Sequence, residues 1–381
     1  MITWLDKFKE EFFKSLDPDV SSILGKALDG KKISQEEALK LFTVKGLNFN
    51  ALILVADWLR FKRVGDTVTF VCNRNINFTN VCQVRCDFCA FSRDLNSPEA
   101  YLLKPRDVAV KAKEAWLKGA TEVCIQGGIN PILDLTYYEE ILREIKKETP
   151  KIHIHAFSPM EIAYMSWKSG LKFEEVLVRL KEAGLDSMPG TAAEILVDEV
   201  RKRICPRKIG SQEWVKIIKT AHRLGIPTTA TIMYGHIERL EDLITHLKIL
   251  RDIQEETRGF TEFIPLTFIH WKTPLYLKGK VKAGATGVED LKVYAISRLF
   301  FNGVIDNIQV SWVKLGAKFA QIALTAGAND FGGTLMEENI SRSAGATAGE
   351  NMPMDEIIRL IRNLGRVPAQ RTTTYKILRK F

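Results

Sequence analysis

Three cysteines in one short stretch are the residues of this chain that best suit chemistry. Cys82, Cys86 and Cys89 follow a C-x3-C-x2-C spacing. Thiolates are soft ligands that suit iron–sulfur clusters, whereas a structural zinc site normally closes with four ligands. A 4Fe–4S cluster also takes four ligands, and no fourth cysteine stands in register. The spacing therefore predicts one 4Fe–4S cluster with an open iron that can chelate a substrate. A zinc-binding scaffold without enzymatic activity is the alternative.

A second candidate is the stretch Gln126-Gly127-Gly128, which ends a short apolar run. Glycine allows close backbone approach, and its exposed N–H and C=O groups can meet an amino acid head group. An ordinary tight turn is the alternative. Because the stretch follows the next predicted strand after the cysteine loop, we expect it to bind a cofactor.

Two pairs of titratable side chains leave alternatives open. His153 and His155 point the same way because side chains alternate along a strand, and a hydrogen-bonded pair is favoured over a metal site. Glu194 and Arg201 are expected on one face of a helix. There Arg201 could bind a carboxylate bidentately, with a surface ion pair as the alternative.

Polar residues recur where the later predicted strands end, which suggests a wet interior rather than a dry core. The final loop, residues 327–338, also combines glycines with amide, hydroxyl and carboxylate side chains that suit a hydroxyl-rich substrate. The candidates from these regions are Tyr234, His236, Ser311, Asn329, Asp330 and Thr334.

Short apolar runs alternate with amphipathic stretches from Val68 onward, which predicts parallel βαβ units. The predicted strands are Asn75–Asn80, Thr121–Gln126, His153–Phe157, Leu185–Met188, Thr228–Met233, Phe263–Phe268, Asn307–Ser311 and Leu324–Ala328. Eight such units would close a (βα)8 TIM-type barrel, with its chemistry at the carboxyl ends of the strands. An open doubly wound sheet is the alternative, although its first strand would normally lead into a glycine-rich phosphate loop.

The domain organisation follows from the same change of pattern. Residues 1–65 are predicted to form a helical segment, with a near capping box at Ser34 to Glu37. Residues 66–302 are predicted to form the core barrel. Residues 303–381 are expected to complete the barrel and close the active site, ending in a helix and a basic tail.

Composition limits the class of protein. The chain has 381 residues, 46% of them hydrophobic, which is ample for one barrel-sized core. Its six cysteines show no paired framework, and no signal peptide or long apolar run is present, so we expect a cytoplasmic protein without a membrane partner. The net charge of +9 is interleaved with acidic residues, which favours a solvated surface over a nucleic-acid partner.

The cysteine loop resembles that of the radical S-adenosylmethionine (SAM) superfamily, with Phe88 as its usual aromatic residue. Further stretches resemble the tyrosine-using subunit of FO synthase, which makes a deazaflavin coenzyme precursor. They are Val123-Cys-Ile-Gln-Gly-Gly-Ile-Asn-Pro131, Ile152-His-Ile-His-Ala-Phe-Ser-Pro-Met-Glu-Ile162, Ser187-Met-Pro-Gly-Thr-Ala-Ala-Glu-Ile-Leu196, Thr229-Ala-Thr-Ile-Met-Tyr-Gly-His236 and Gly327-Ala-Asn-Asp-Phe-Gly-Gly-Thr-Leu-Met-Glu-Glu338.

The resemblance implies a reaction. An adenosyl radical from SAM takes a hydrogen from L-tyrosine, the Cα–Cβ bond breaks, and the 4-hydroxybenzyl fragment joins 5-amino-6-(D-ribitylamino)uracil. The product is 5-amino-5-(4-hydroxybenzyl)-6-(D-ribitylimino)-5,6-dihydrouracil, with 2-iminoacetate, methionine and 5′-deoxyadenosine released. A reductant supplies one electron, and the second FO synthase subunit is the functional partner.

The residues and the resemblance together give the expected site roles. The cluster ligands are Cys82, Cys86 and Cys89, and the cofactor-binding set is Phe88, Gln126, Gly127, Gly128, Glu194 and Arg201. Catalytic candidates are Tyr234, His236 and His155, and substrate-binding candidates are Ser311, Asn329, Asp330 and Thr334.

Two other enzyme classes remain open on the sequence. The nearer is a menaquinone-pathway radical SAM enzyme, either aminofutalosine synthase or dehypoxanthine futalosine cyclase. Those relatives usually read Pro-Gly-Gly-Gly where this chain has Pro189-Gly-Thr-Ala192. The other is an RNA-modifying radical enzyme, prompted by the net charge.

Overall fold

The computed structural model describes residues 11–381 and begins with a layer of helices. These are α1 (Pro18–Leu28), α2 (Gln35–Thr43) and α3 (Gly46–Val64). The predicted capping box is confirmed, because Ser34 and Glu37 bond each other's backbone N–H groups. The buried side of α3 packs against a long helix late in the chain, residues 287–300. The helical start therefore covers the outside of the main domain.

The main domain is built on parallel strands. They are β1 (Thr67–Val71), β2 (Asn73–Ile76), β3 (Glu122–Ile125), β4 (His153–Ala156), β5 (Thr228–Tyr234), β6 (Phe260–Thr267) and β7 (Asp330–Gly333). β2 pairs with β3 and β3 with β4, while β5 pairs with β6 and β7 with β1, all in parallel. Single bridges at Ser187, Met188, Ile308 and Gln309 link these groups into one array. Closure of the array into a barrel stays a prediction.

Helices alternate with these strands, as the pattern predicted. They are α4 (Pro105–Leu117), α5 (Leu135–Glu148), α6 (Pro159–Ser169), α7 (Phe173–Ala183), α8 (Asp198–Ile204), α9 (Ser211–Arg223), α10 (Leu240–Thr257), α11 (Pro274–Leu277), α12 (Gly287–Phe300), α13 (Trp312–Leu315), α14 (Ala317–Ala323), α15 (Ile340–Ser343) and α16 (Met354–Asn363). The apolar faces of the long helices are buried against the strands.

The C-terminal residues form a β-hairpin, β8 (Val367–Arg371) and β9 (Ile377–Lys380). β8 pairs in parallel with residues 67–70 of β1. In the hairpin turn, Thr373 donates a hydrogen bond to Glu122 and Tyr375 donates one to Glu262, each at 2.7 Å. Because both glutamates lie at the amino ends of their strands, the hairpin closes that end of the array.

Several predicted elements differ from the structure. The predicted strand Leu324–Ala328 is wrong, because Leu324–Ala326 is a 3-10 turn and the strand follows at Asp330–Gly333. Gly327, with φ +98°, ends the turn, and its carbonyl accepts a hydrogen bond from Arg298 at 2.7 Å. The predicted basic tail is also wrong, since residues 367–371 and 377–380 are the two strands of a hairpin.

Two other predicted strands are reduced to single bridges. In Leu185–Met188 the pairing is limited to Ser187 and Met188, and in Asn307–Ser311 to Ile308 and Gln309. The predicted boundaries at residues 65 and 302 stay predictions. Within residues 11–381, no helix combines the length and apolar character that a membrane crossing needs.

Candidate active site

A cavity of about 400 Å³ opens inside the strand array. The cysteine loop and the segments that follow β3, β4, the bridge at Ser187 and Met188, and β6 line one part of it. The strand starts and the C-terminal hairpin line another part. Ten of the predicted site residues line this cavity: Cys82, Cys86, Phe88, Cys89, Gln126, Gly127, Gly128, His155, Glu194 and Ser311. Residues from distant parts of the sequence therefore meet in one place.

The cysteine loop is held by backbone hydrogen bonds to three other segments. Gln83 N donates to Ile129 O at 2.9 Å, and Asp87 N donates to Ile204 O at 2.9 Å. Leu275 N donates to the carbonyl of Asp87 at 2.7 Å. These bonds hold the loop against the segments that follow β3 and α8 and against α11 itself.

Burial raises the pKa of the Cys86 thiol well above its ordinary value, and the positive charge of Lys208 acts in the opposite direction. Burial also raises the pKa of Cys89. A metal that binds these sulfurs has to displace their protons, as metal–thiolate binding generally does.

The two glycines of the Gln126-Gly127-Gly128 stretch are required by close packing. A Cβ at Gly127 would lie 2.4 Å from the Phe78 ring, and one at Gly128 would lie 2.2 Å from the Val81 carbonyl oxygen. The backbone N–H of Gly127 donates to Glu161 at 3.1 Å. Close approach of this backbone to the cysteine loop is therefore one physical reason for two glycines here.

Glu161 is a buried acid beside that stretch. It caps α6 through hydrogen bonds from Ser158, and burial raises its pKa to about 7. Glu161 thus serves the amino terminus of α6, while its bond to Gly127 joins the helix to the glycine stretch.

Glu194 forms a buried ion pair with Lys208 inside the cavity wall. Burial opposes ionisation of Glu194, but Lys208 holds its pKa below the ordinary value. The ammonium of Lys208 also lies 5.1 Å from the centre of the Phe88 ring. The expectation that Glu194 and Arg201 share a helix is wrong, because α8 begins at Asp198 and Glu194 has φ +44°.

The side chain of Arg201 stabilises the same segment. Its guanidinium donates to backbone carbonyls of residues 192, 193, 195 and 209. These hydrogen bonds to backbone carbonyls hold the bend that carries Glu194.

The amino-terminal end of the cavity carries a buried charged cluster that we call the floor: Glu122, Glu262, Asp330 and Arg371. Arg371 bonds Asp330 at 2.5 and 3.1 Å and reaches Glu262 at 3.4 Å. Gln309 also donates to Glu262, at 2.9 Å. Burial raises the pKa of Glu262, against the effect of Arg371. The floor holds three carboxyl groups against one guanidinium.

His155 lies above the floor, and its Nδ1 is 2.6 Å from Ser187 Oγ. His153 Nε2 is 2.7 Å from the same oxygen, so the predicted hydrogen-bonded histidine pair is a pair bridged by a serine. Burial lowers the pKa of His155 to about 4, which keeps its imidazole neutral at pH 7.

Six predicted site residues lie outside the cavity lining: Tyr234, His236, Arg201, Asn329, Asp330 and Thr334. Tyr234 donates to Asp290 at 2.6 Å, and His236 bonds the Met233 carbonyl at 3.0 Å. Asn329 accepts from Arg298 at 2.8 Å, Asp330 belongs to the floor, and Thr334 bonds the backbone of Asn73. Their roles in catalysis or binding stay predictions.

Sequence reasoning missed several charged residues of the cavity, including Lys208, Glu122, Lys314 and Arg371. Lys208 follows a Cys-Pro-Arg stretch without any motif of its own. Of the floor residues, only Asp330 was among the candidates predicted from the sequence.

The residues around the cysteine loop fit an iron–sulfur cluster. Three thiols face one cavity, a glycine stretch leaves space beside them, and soft sulfur donors suit iron. Within residues 11–381, no group of three or more His, Cys, Asp or Glu side chains is placed to hold a single metal ion. A three-cysteine loop that follows a strand of a parallel α/β array, here β2, is typical of a radical SAM enzyme.

Comparison with known proteins supports that class. Residues 76–250 match the model of the radical SAM superfamily, and residues 257–380 match the model described as the CofH/MqnC C-terminal region. Radical SAM enzymes bind a 4Fe–4S cluster and SAM, so both predicted cofactors follow.

Curated relatives narrow the assignment. A 5-amino-6-(D-ribitylamino)uracil–L-tyrosine 4-hydroxyphenyl transferase from Methanothermobacter thermautotrophicus is 55% identical, over 93% of this chain and 96% of the relative. The protein of that name from Methanocaldococcus jannaschii is 56% identical, over 91% of this chain and 98% of the relative. The chain belongs to the family of these transferases, within the radical SAM superfamily.

Solved structures show the same fold at low identity. Methylornithine synthase superimposes with a TM-score of 0.71 at 18% identity, covering 91% of this chain and 97% of that chain. The FeFe-hydrogenase maturase HydG from Carboxydothermus hydrogenoformans superimposes with a TM-score of 0.75 at 16% identity, covering 97% of this chain and 83% of that chain. The predicted α/β fold of the radical SAM type is confirmed.

Proposed function

We propose that this protein cleaves L-tyrosine and joins its 4-hydroxybenzyl fragment to 5-amino-6-(D-ribitylamino)uracil, here called the aminouracil. The observation that carries the proposal is the match along almost the whole chain to transferases named for these two substrates. The three-cysteine loop on one wall of an internal cavity supplies the matching site. The product is 5-amino-5-(4-hydroxybenzyl)-6-(D-ribitylimino)-5,6-dihydrouracil, formed with 2-iminoacetate, methionine and 5′-deoxyadenosine.

Cys82, Cys86 and Cys89 hold the cluster in this proposal, and its open iron takes the amino and carboxylate groups of SAM. When bound, the cluster and SAM together supply a 5′-deoxyadenosyl radical. Phe88, Gln126 and the glycine stretch form the wall beside SAM.

Glu194 and Lys208 also belong to the cofactor wall. Lys208 compensates Glu194 and lies over Phe88, so the pair shapes this wall without presenting a free charge. Thr191 donates to Gln126 at 3.3 Å, which links the segment after the fourth strand position to the glycine stretch.

The rest of the cavity protects the reaction from water. Apolar side chains of β6 and α13 line it, among them Ile264, Leu266 and Trp312. A cavity closed by such groups keeps stray hydrogen donors from a reactive radical. Neutral His155 and Ser311 present polar atoms in the same space and remain our candidates for contact with substrate.

Two partners complete the proposal. A one-electron reductant starts each turnover, and the second FO synthase subunit takes the product onward. Whether the two subunits bind each other is tested by co-purification of separately tagged chains.

Anaerobic turnover tests the proposal directly. The cluster-loaded protein is incubated with SAM, dithionite, L-tyrosine and the aminouracil, and the products are read by mass spectrometry. A hydroxybenzyl adduct of the aminouracil together with 5′-deoxyadenosine is the expected result. If 5′-deoxyadenosine forms only with the substrates of the menaquinone pathway, the tyrosine proposal is wrong and that alternative replaces it.

A cysteine variant tests whether the cysteine loop holds the cluster. We expect Cys86→Ala to lose cluster loading and SAM cleavage together, because one of three iron ligands is gone. Cys205→Ala is the matched control, since that thiol is buried outside the cavity lining and its loss should leave iron content unchanged. Iron and sulfide analysis reads both variants, and SAM cleavage that survived in Cys86→Ala would contradict the cluster assignment.

A further inference from the structure

The positively charged side chains of the cavity differ in whether a carboxylate is paired with them. Three lysine or arginine side chains line it: Lys208, Lys314 and Arg371. Lys208 is paired with Glu194, and Arg371 is paired with Asp330 and Glu262. Among the residues that the structure describes, Lys314 has neither an ion pair within 4.0 Å nor a side-chain hydrogen bond.

Lys314 is nevertheless held in place by its backbone. It lies in α13, directly after the strand position at Ile308 and Gln309, and its N–H donates to Ser311 O at 3.0 Å. The neighbouring Trp312 is 1% exposed and donates to Gly333 O at 2.8 Å. The side chain is therefore aimed into the cavity from a fixed helix and is not a mobile surface lysine.

The nearby carboxylates do not form an ion pair with the ammonium of Lys314. Glu338 is the carboxylate whose charge acts most strongly on Lys314, followed by Glu194. Both oxygens of Glu338 lie within hydrogen-bond distance of Ser341 N, at 3.1 and 3.0 Å, and Glu194 is paired with Lys208. Burial lowers the pKa of Lys314, as it does for an ammonium that lacks a counter-ion. A bound anion would remove that penalty.

The ligands that the proposed function brings into the cavity include two carboxylates. The carboxylate of SAM is taken by the open iron, which leaves the carboxylate of L-tyrosine without a partner. The floor cannot receive it, because three carboxyl groups there face one guanidinium that is already bonded. A carboxylate placed among those acids would be repelled.

We infer that Lys314 binds the carboxylate of L-tyrosine and so orients the amino acid in the cavity. The inference rests on the proposed function and adds the residue that recognises the amino acid end of the substrate. Removal of one partner from a charge-assisted hydrogen bond in a buried site weakens binding by about 10- to 100-fold. Lys314→Met keeps the length of the side chain, removes the charge and leaves no partner unsatisfied in the free protein.

The test measures binding without turnover. Cluster-loaded enzyme with SAM and no reductant is titrated by equilibrium dialysis with L-tyrosine and with L-tyrosinamide, which lacks the carboxylate. Wild-type protein is expected to prefer L-tyrosine by about 10-fold or more, and Lys314→Met is expected to bind both about equally. Lys314→Arg should restore most of the preference, whereas Lys318→Met, an exposed lysine on the next helix, should behave as wild type.

Each result has one meaning. An unchanged preference for L-tyrosine in Lys314→Met overturns the inference, and so does weaker binding of SAM with unchanged binding of L-tyrosine. In both cases the proposed function stands as long as the wild type forms the hydroxybenzyl adduct. If wild-type protein forms no adduct and binds no L-tyrosine, the proposed function and the inference fall together. Circular dichroism and iron content of Lys314→Met confirm that the variant is folded and loaded.

Discussion

Gly128 shows how one missing side chain decides the position of the cysteine loop. An added Cβ would lie 2.2 Å from Val81 O and 2.9 Å from Cys82 Cβ, so Gly128→Ala must push the loop away. We expect a loss of about 1–3 kcal/mol from overpacking and a clear loss of bound iron. Gly25→Ala is the control, because a Cβ there meets nothing within 4 Å. Iron analysis after reconstitution compares the two, and full iron content in Gly128→Ala would contradict this reading.

His246 is a second residue whose surroundings allow one charge state. Its Nδ1 accepts from Leu196 N and its Nε2 bonds the Thr231 carbonyl, each at 3.0 Å, so the neutral tautomer with hydrogen on Nε2 is required. Burial lowers its pKa to about 3. The unfolded chain, with an ordinary histidine pKa, therefore binds one more proton than the folded chain between about pH 3 and 6.5. The stability that neutral His246 contributes is full above pH 6.5 and is lost as the pH falls.

The prediction for His246 concerns how steeply the unfolding free energy changes with pH. Between about pH 4.5 and 5.5, the unfolding free energy of wild type should fall more steeply with acid than that of His246→Gln, by about 1.4 kcal/mol per pH unit. Chemical denaturation at several pH values measures both slopes. Comparison with the variant is needed because Glu161, whose pKa burial raises to about 7, has the opposite effect on the wild-type curve. Parallel curves for the two proteins would rule out a neutral His246.

The residues that sequence could predict are those whose chemistry is local. The spacing of the three cysteines and the Gly127-Gly128 pair can be recognised in the sequence, and the structure brings these residues together. Lys208, Lys314 and Arg371 carry no such signal, because each acquires its place only when distant segments meet. Tyr234 and His236 show the converse: polar residues after a strand bond their own surroundings, and nothing in the sequence distinguishes them from residues that line the cavity.

A buried ion pair helps to join the C-terminal hairpin to the strand array. Arg371 in β8 and Asp330 in β7 are 1% and 0% exposed as side chains, and they join the hairpin to the strand array. Loss of one partner from such a pair costs about 3–5 kcal/mol, because the other charge stays buried. We expect Arg371→Met to lower the unfolding free energy by that amount, while Arg379→Met, at an exposed position of β9, changes it little. Thermal and urea unfolding measure both, and equal stability of the two variants would show that the hairpin is not held by this pair.

Elements with strong patterns were predictable, and those that depend on partners were not. The helices of the main domain and strands β3 to β6 follow from apolar periodicity and caps. The run Leu324–Ala328 has apolar residues but turns, since Gly327 adopts a positive φ and Arg298 bonds its carbonyl. Residues 377–380 are exposed and rich in charge. They form a strand because their backbone pairs with the edge of β8.

The whole molecule is tied together by strand β1. Its two neighbours are β7 and β8, both from the last quarter of the chain, although β1 itself precedes the cysteine loop. The matches to two family models end at residue 250 and begin at residue 257, and the pairing of β1 with β7 and β8 crosses this point. The cavity likewise takes its cysteine wall from the first part and Lys314 with Arg371 from the second.

Division of the chain after Arg258 tests this unity. Arg258 ends α10 in a left-handed conformation, so a break there leaves every helix and strand intact. We expect fragment 1–258 alone to unfold without a cooperative transition and to bind little iron, because β1 has lost both neighbours and the floor has lost Arg371. Co-expression with fragment 259–381 should restore a cooperative transition and iron binding, since the missing strands can pair again. Calorimetry and iron analysis of the separate and combined fragments provide the measurement. A fragment 1–258 that unfolds cooperatively and loads a full cluster would show instead that the cysteine half is an independent domain.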